Sequence, residues 1–212
     1  MWALFLAGEV GQISLRPSGK REGYGPSHMI VCMDDFEFLS PDSFRMMRTM
    51  EAAPEDVWDY LTRPELLEVW LASGTIEAKK GGRVELHFDL DESEERQKAG
   101  GAVYGVVRDI EPGCMLEYDW TDVAPGSSRD SAQYPDSVVR FVLTPAGDGV
   151  EVEVVHGGLP TELLAGCATG WHVHLSILAT VLAGEMPEPF EELFVAALPG
   201  FQAQLAESGI DV

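Results

Sequence analysis

The sequence predicts an α+β domain in which a curved antiparallel β-sheet wraps around a long C-terminal α-helix. Three observations carry that prediction. Short segments in which every second residue is apolar recur between Phe44 and His156, each closed by a turn or loop. One long apolar helical stripe, from about Leu163 to Leu182, follows the last of them. Two short helices stand between strands 1 and 2. A sheet with one apolar face and a helix with one apolar stripe must cover each other, so the sheet closes over the helix as a grip.

Taken in chain order, residues 1–28 are expected to be a poorly ordered extension, or upstream sequence ahead of an initiator at Met29 or Met33. Met1 to Ala7 is apolar but lacks a basic leader and a cleavage site, and residues 8–28 are rich in Gly, Ser and Pro. The first strand is read from Phe44, Met46, Arg48 and Met50, which alternate with Arg45, Met47, Thr49 and Glu51. Ala53-Pro54-Glu55-Asp56 opens a short helix, since proline suits a first turn and two acids suit its positive end. Val57, Trp58 and Leu61 give it an apolar side. Pro64 starts a second short helix carrying Leu66, Leu67, Trp70 and Leu71, ended by Ser73-Gly74.

Strands follow at Val84 to Leu90, Val103 to Ile110 and Leu116 to Trp120, with a charged loop from Asp91 to Lys98. Asp122 to Asp136 reads as a long loop at a pocket rim or sheet end. Ser137 to Thr144 is a nearly continuous apolar strand, Pro145 to Gly149 a hairpin turn, and Val150 to His156 the last strand. On the long helix, Leu164, Cys167, Trp171, His174, Leu175, Leu178 and Leu182 share one stripe. The domain is therefore expected over 29–185. A tail over 186–212, with apolar positions from Phe190 to Leu205, should pack on it, and Pro199 should kink or split that tail.

Charge narrows the function classes. The 212 residues hold 36 acidic and 14 basic side chains, a net charge of -22, which repels nucleic acid and anionic lipid. No segment reads as long enough to span a bilayer, so membrane insertion is not expected. Cys32, Cys114 and Cys167 are odd in number and share no metal-ligand spacing, which points to a reducing compartment, the cytoplasm.

Three stretches carry a family likeness: Ala53 to Thr62 with Pro64-Glu65-Leu66-Leu67 and Trp70-Leu71; Gly81-Gly82-Arg83-Val84-Glu85-Leu86; and Gly170-Trp171-His172-Val173-His174-Leu175. Together they resemble the SRPBCC superfamily (START and birch-pollen-allergen-like proteins), in the branch similar to the C-terminal domain of the activator of heat-shock-protein ATPase. The resemblance covers about residues 42–185. It implies the helix-grip fold with an internal cavity, in a superfamily whose members include lipid carriers, hormone receptors, polyketide cyclases and chaperone activators. Fold alone does not choose among these.

The residues themselves suggest a pocket. His156 shares the face of Val150, Val152 and Val154, and His174 shares the stripe of Trp171 and Leu178, so both imidazoles should look into the space between sheet and helix. The alternative for each is a core histidine bonded to backbone or tryptophan. Trp70, Trp120 and Trp171 are candidate pocket walls, though large aromatics also simply fill cores. Arg48, on the Phe44 face, could anchor a ligand's carboxylate or phosphate, or pair with a carboxylate at a strand end. Trp58 reads as plain packing.

His172 and His174 are not expected to hold a metal, because two residues along a helix is about 200° of rotation. Asp89 to Glu95 lacks the glycine and terminal glutamate of a calcium loop. Gly81-Gly82 and Gly100-Gly101 read as turn glycines rather than nucleotide loops, and a nucleophile elbow and a Rossmann fingerprint are missing. No cofactor and no catalytic residue is expected. The leading reading is non-catalytic binding of a small hydrophobic or amphipathic ligand by Trp70, Trp120, His156, Trp171, His174 and Arg48. The alternatives are a cyclase- or hydrolase-like enzyme with a cavity histidine as general base, and a chaperone-related or self-associating (homodimeric) module working through the Phe190 to Leu205 stripe.

Overall fold

Side chains two apart on a strand face the same way, and strand after strand in this chain buries one such set. A computed structural model describes residues 36–88, 101–130 and 132–211. Its strands are β1 (Phe36–Ser40), β2 (Ser43–Met50), β3 (Ser73–Ile76), β4 (Arg83–Phe88), β5 (Gly101–Glu111), β6 (Met115–Asp119), β7 (Val138–Ala146) and β8 (Gly149–Gly157). Helices α1 (Pro54–Thr62) and α2 (Pro64–Trp70) follow β2, while α3 (Leu164–Leu182) and α4 (Phe190–Glu207) end the chain. All neighbours pair antiparallel in one curved sheet, ordered β1-β2-β8-β7-β6-β5-β4-β3.

The inward set runs across the registers. Phe44 lies opposite His156, Met46 opposite Val154 and Met50 opposite Val150, while Phe141 faces Val154 from the other side. All of these are buried, as are Val84, Leu86, Val107, Leu116 and Tyr118. Burying a leucine or phenylalanine side chain contributes about 2 kcal/mol, so the concave face is the main source of stability. This is the helix-grip architecture expected from the sequence, with α3 lying in the trough.

Two strands escaped the sequence reading. β1 precedes the strand read as first and alternates Phe36 and Phe38 with Glu37 and Leu39. β3 occupies Ser73–Ile76, where Ser-Gly reads as a helix stop. Gly101, expected in a turn, begins β5 opposite Phe88. Pro145 belongs to β7, paired with Val150, and the turn shortens to Gly147-Asp148, with Gly147 at φ +61°. Asp89 to Glu95, the Asp91 to Lys98 loop, Gly100, Cys32 and the 1–28 extension lie outside the described residues.

Bending depends on one close approach. A Cβ built on Gly105 of β5 would lie 2.1 Å from the carbonyl oxygen of Asp119, so only glycine lets the strands draw together there. The β5–β6 register also shifts between Val107 and Asp109. Gly105→Ala is expected to cost about 2 kcal/mol, the scale of a forced backbone shift, read as a lower urea midpoint. An unchanged midpoint would remove the close approach as a cause of the bend.

The long helix is more deeply enclosed than one stripe requires. Every residue from Leu164 to Leu178 is buried, because the sheet covers one side and α4 another. Its buried hydroxyls turn back on the helix: Thr169 donates to the Ala165 carbonyl (2.7 Å) and Ser176 to that of His172 (2.8 Å). Together with the preceding turn, the 22 residues Thr161–Leu182 are in fact long and apolar enough to cross a bilayer, contrary to the sequence expectation. Their most apolar window is 83% buried inside the protein, however, as suits a core helix.

On the outer side, α4 buries Phe194, Phe201 and Leu205. It is not split at Pro199: proline and the preceding turn's Val195 are both exposed, so water can satisfy the Val195 carbonyl that proline leaves without a donor.

Candidate functional site

The aromatic cluster is built from three directions. β8 aims His156 inward, α3 presents Trp171 one turn from His174, and Trp120 follows directly on β6. The Trp171 indole donates to His156 Nδ1 at 2.9 Å, which places the ring proton on Nε2. Nε2 then donates to Ser137 Oγ at 3.3 Å, and Ser137 Oγ donates to the Trp120 carbonyl. Both nitrogens of His156 are used. Burial pulls its pKa down to about 3, so it is neutral at pH 7.

Around this chain the rings touch. Trp120 and Trp171 have centroids 5.1 Å apart, Phe141 and Trp171 5.3 Å, and Trp120 and His156 5.6 Å. Such distances leave no room for a ligand between them. The Tyr118 hydroxyl lies beside them, buried without a hydrogen-bond partner among the described residues, and burial pushes its pKa up.

His174 stands at the edge of the cluster. Its Nδ1–H donates to the Trp70 carbonyl at 2.7 Å, at the end of α2. Burial lowers its pKa to about 4, partly offset by that bond. The ring lies 4.7 Å from Phe190 and 6.2 Å from Phe88. Trp70 is fixed in turn, its indole donating to the Tyr60 carbonyl at 2.9 Å.

Here the packing opens. A cleft of about 630 Å³ lies where the end of α2, the end of β4 and the start of α4 meet. Trp70, Phe88, His174, Ile177 and Phe190 form its apolar walls, and Glu68, Glu191 and Glu192 line it as carboxylates.

The sequence-predicted residues therefore divide. Trp70 and His174 line the cleft. Trp120, His156 and Trp171 stand behind it in closed packing, at 3% exposure or less. Arg48 lies elsewhere, with Nη2 3.2 Å from Nδ1 of His172. A guanidinium only donates, so Nδ1 accepts, and the Nε2 proton of His172 is buried without a hydrogen-bond partner among the described residues. Burial first, and the Arg48 charge second, lower the His172 pKa to about 4. His172 and His174 do point to different surroundings, the first toward Phe201 at 5.5 Å. Among the described residues no group of three or more His, Cys, Asp or Glu is arranged to hold a metal.

Sequence reasoning missed Phe88, Ile177 and Phe190 as cleft residues. Phe88 and Phe190 do carry apolar signals, on a strand and on the tail stripe, but nothing local says that α4 begins beside the end of β4.

Comparison with known proteins agrees with the architecture. The protein encoded by gene BPP1335 of Bordetella parapertussis is 27% identical, with a TM-score of 0.59 over 78% of this chain and 87% of that one. CalU16 of Micromonospora echinospora is 21% identical, with a TM-score of 0.57 over 77% and 88%. The Aha1 dimer of Colwellia psychrerythraea is 19% identical, with a TM-score of 0.51 over 66% and 95%. The last two, at such identities, speak for the fold alone. No curated protein matches the chain. The model of the Activator of Hsp90 ATPase homolog 1-like protein family, however, matches residues 51–183, which hold α1, α2, the sheet from β3 to β8 and the core helix. By that match, over more than half its length, the chain belongs to this branch of the SRPBCC superfamily.

Proposed function

We propose that the protein binds a small hydrophobic or amphipathic molecule in the cleft between α2, β4 and α4, and that it does so without catalysis. The observation that carries this is the cleft itself. At about 630 Å³ with aromatic walls it falls in the range of small-molecule sites. Its walls are preformed, since Trp70 and His174 are held by hydrogen bonds to backbone carbonyls. Of the sequence-predicted set, Trp70 and His174 are the contact residues, and Trp120, His156 and Trp171 support them from behind.

Catalysis by a histidine base is the weaker reading. A base with a pKa near 4 has little driving force for taking a proton at neutral pH, and His156 has no nitrogen left to offer. Self-association is a second reading, favoured by the dimer that a structural relative forms. It would use a surface other than the apolar stripe of α4, whose Phe194, Phe201 and Leu205 are buried within the fold. The cytoplasm suits a chain whose Cys114 and Cys167 are both free thiols.

Fluorescence titration with N-phenyl-1-naphthylamine, a neutral apolar dye, tests the binding reading. Ile177→Trp extends a wall residue into the cleft and is expected to weaken dye binding at least about tenfold, because blocked volume removes whole contacts. Dye binding that is undiminished in a variant with wild-type thermal stability would defeat the proposal.

A further inference from the structure

The cleft carries a charge as well as a shape. Among the described residues that line it, Glu68 and Glu192 have no ion-pair partner, one on α2 and the other in the first turn of α4. No lysine or arginine is among them. Of the two imidazoles in the lining, His174 donates to the Trp70 carbonyl and His87 contacts Glu85 at 3.0 Å. Glu191, also in the lining, has an interaction of its own, so the charges that count here are those of Glu68 and Glu192.

The N-terminus of α4 opens on the cleft through Phe190 and presents roughly half a positive unit charge. Among the described lining residues, the two whole carboxylate charges of Glu68 and Glu192 outweigh it. Aromatic walls at Trp70, Phe88 and Phe190 favour the same sign, because the face of an aromatic ring attracts a cation and not an anion. An anionic head would have to sit against both effects.

We propose that this cleft selects amphiphiles whose head is a small organic cation, an amine or quaternary ammonium, lodged between Glu68 and Glu192 while the apolar part lies on Trp70, Phe88 and Phe190. This rests on the reading of the cleft as a binding site, and adds the class of ligand. The net charge of -22 would draw such molecules toward the protein at low salt, but it is the local pair that gives the preference its place.

Three probes with one tail separate head from tail: octyltrimethylammonium, octyl glucoside and octyl sulfate, each titrated below its micelle concentration by displacement of the neutral dye. The order expected is cation tightest, then the neutral glucoside, then the anion. The double variant Glu68→Gln/Glu192→Gln should lose about fivefold in affinity for the cation, the scale of two exposed charge pairs, and keep its affinity for the glucoside. Glu51→Gln/Asp56→Asn, on the far groove beside α1, should keep the preference intact. Equal affinity for all three heads, or the same loss in the far variant as in the cleft variant, overturns the charge proposal while dye binding leaves the cleft reading standing. If neither the dye nor any octyl probe binds, both fall together.

Discussion

Trp171→Ala is expected to destabilise the protein by about 5 kcal/mol, a large share of the 5–15 kcal/mol that holds a typical domain together. Two losses add. The indole is fully buried against Trp120 and Phe141, and removing such a side chain leaves a cavity worth about 3–5 kcal/mol. The His156 acceptor at 2.9 Å then has no donor, at about 1–3 kcal/mol for a buried polar atom. Trp171→Phe separates the two, since it retains most of the ring volume and removes only the N–H; a loss of about 2 kcal/mol is expected there. Urea unfolding followed by far-ultraviolet circular dichroism reads both. A loss below about 2 kcal/mol for the alanine variant, with an unchanged m-value, would show that the cluster is not what locks α3 into the trough.

Mild acid should have a comparable effect. His156 is held at a pKa of about 3, and His172 and His174 at about 4, against 6.5 for an ordinary histidine, in each case chiefly through burial. Between those values and 6.5 the unfolded chain binds more protons than the folded one, so stability falls as pH falls. It is fully present above about pH 6.5 and declines by about 1.4 kcal/mol per pH unit for each histidine below that. At pH 5 the loss comes to about 2 kcal/mol per ring, up to about 6 for three, reduced where acid also relieves the mutual repulsion of the carboxylates. Urea midpoints at pH 7.5 and pH 5 measure it. His172→Asn, which offers Arg48 an acceptor but cannot take up a proton, should lessen the drop by one histidine's share. A midpoint at pH 5 equal to that at pH 7.5 would contradict the account.

What the sequence made legible follows from the range of each signal. Alternation is local, so β2, β4 and β5 to β8 could be read from Phe44, Val84, Leu116 or Val150 and their neighbours. β3 could not, because four residues beginning Ser-Gly show no alternation, and they become a strand only by pairing with β4. β1 does alternate, but so briefly that nothing distinguished Phe36 and Phe38 from the unpatterned stretch before them. The site divides in the same way. That His156 and His174 face inward was readable from face and stripe. That His156 would be saturated by Trp171 and Ser137, that Arg48 would meet an imidazole, or that α4 would begin beside Phe88, depends on contacts between residues far apart in the chain.

The pairing of β2 with β8 sets the order in which the molecule can be assembled. Phe44 reaches its partner His156 only after more than a hundred further residues have been made. Closing so long a loop is entropically slow, and such non-local pairing delays folding. On the ribosome, the first hairpin would wait with one edge bare until the seventh and eighth strands emerged, and the Phe44 face would wait longer still for its helix. The nascent chain is thus most open to aggregation, or to capture by a chaperone, in the interval before Leu178 leaves the exit tunnel.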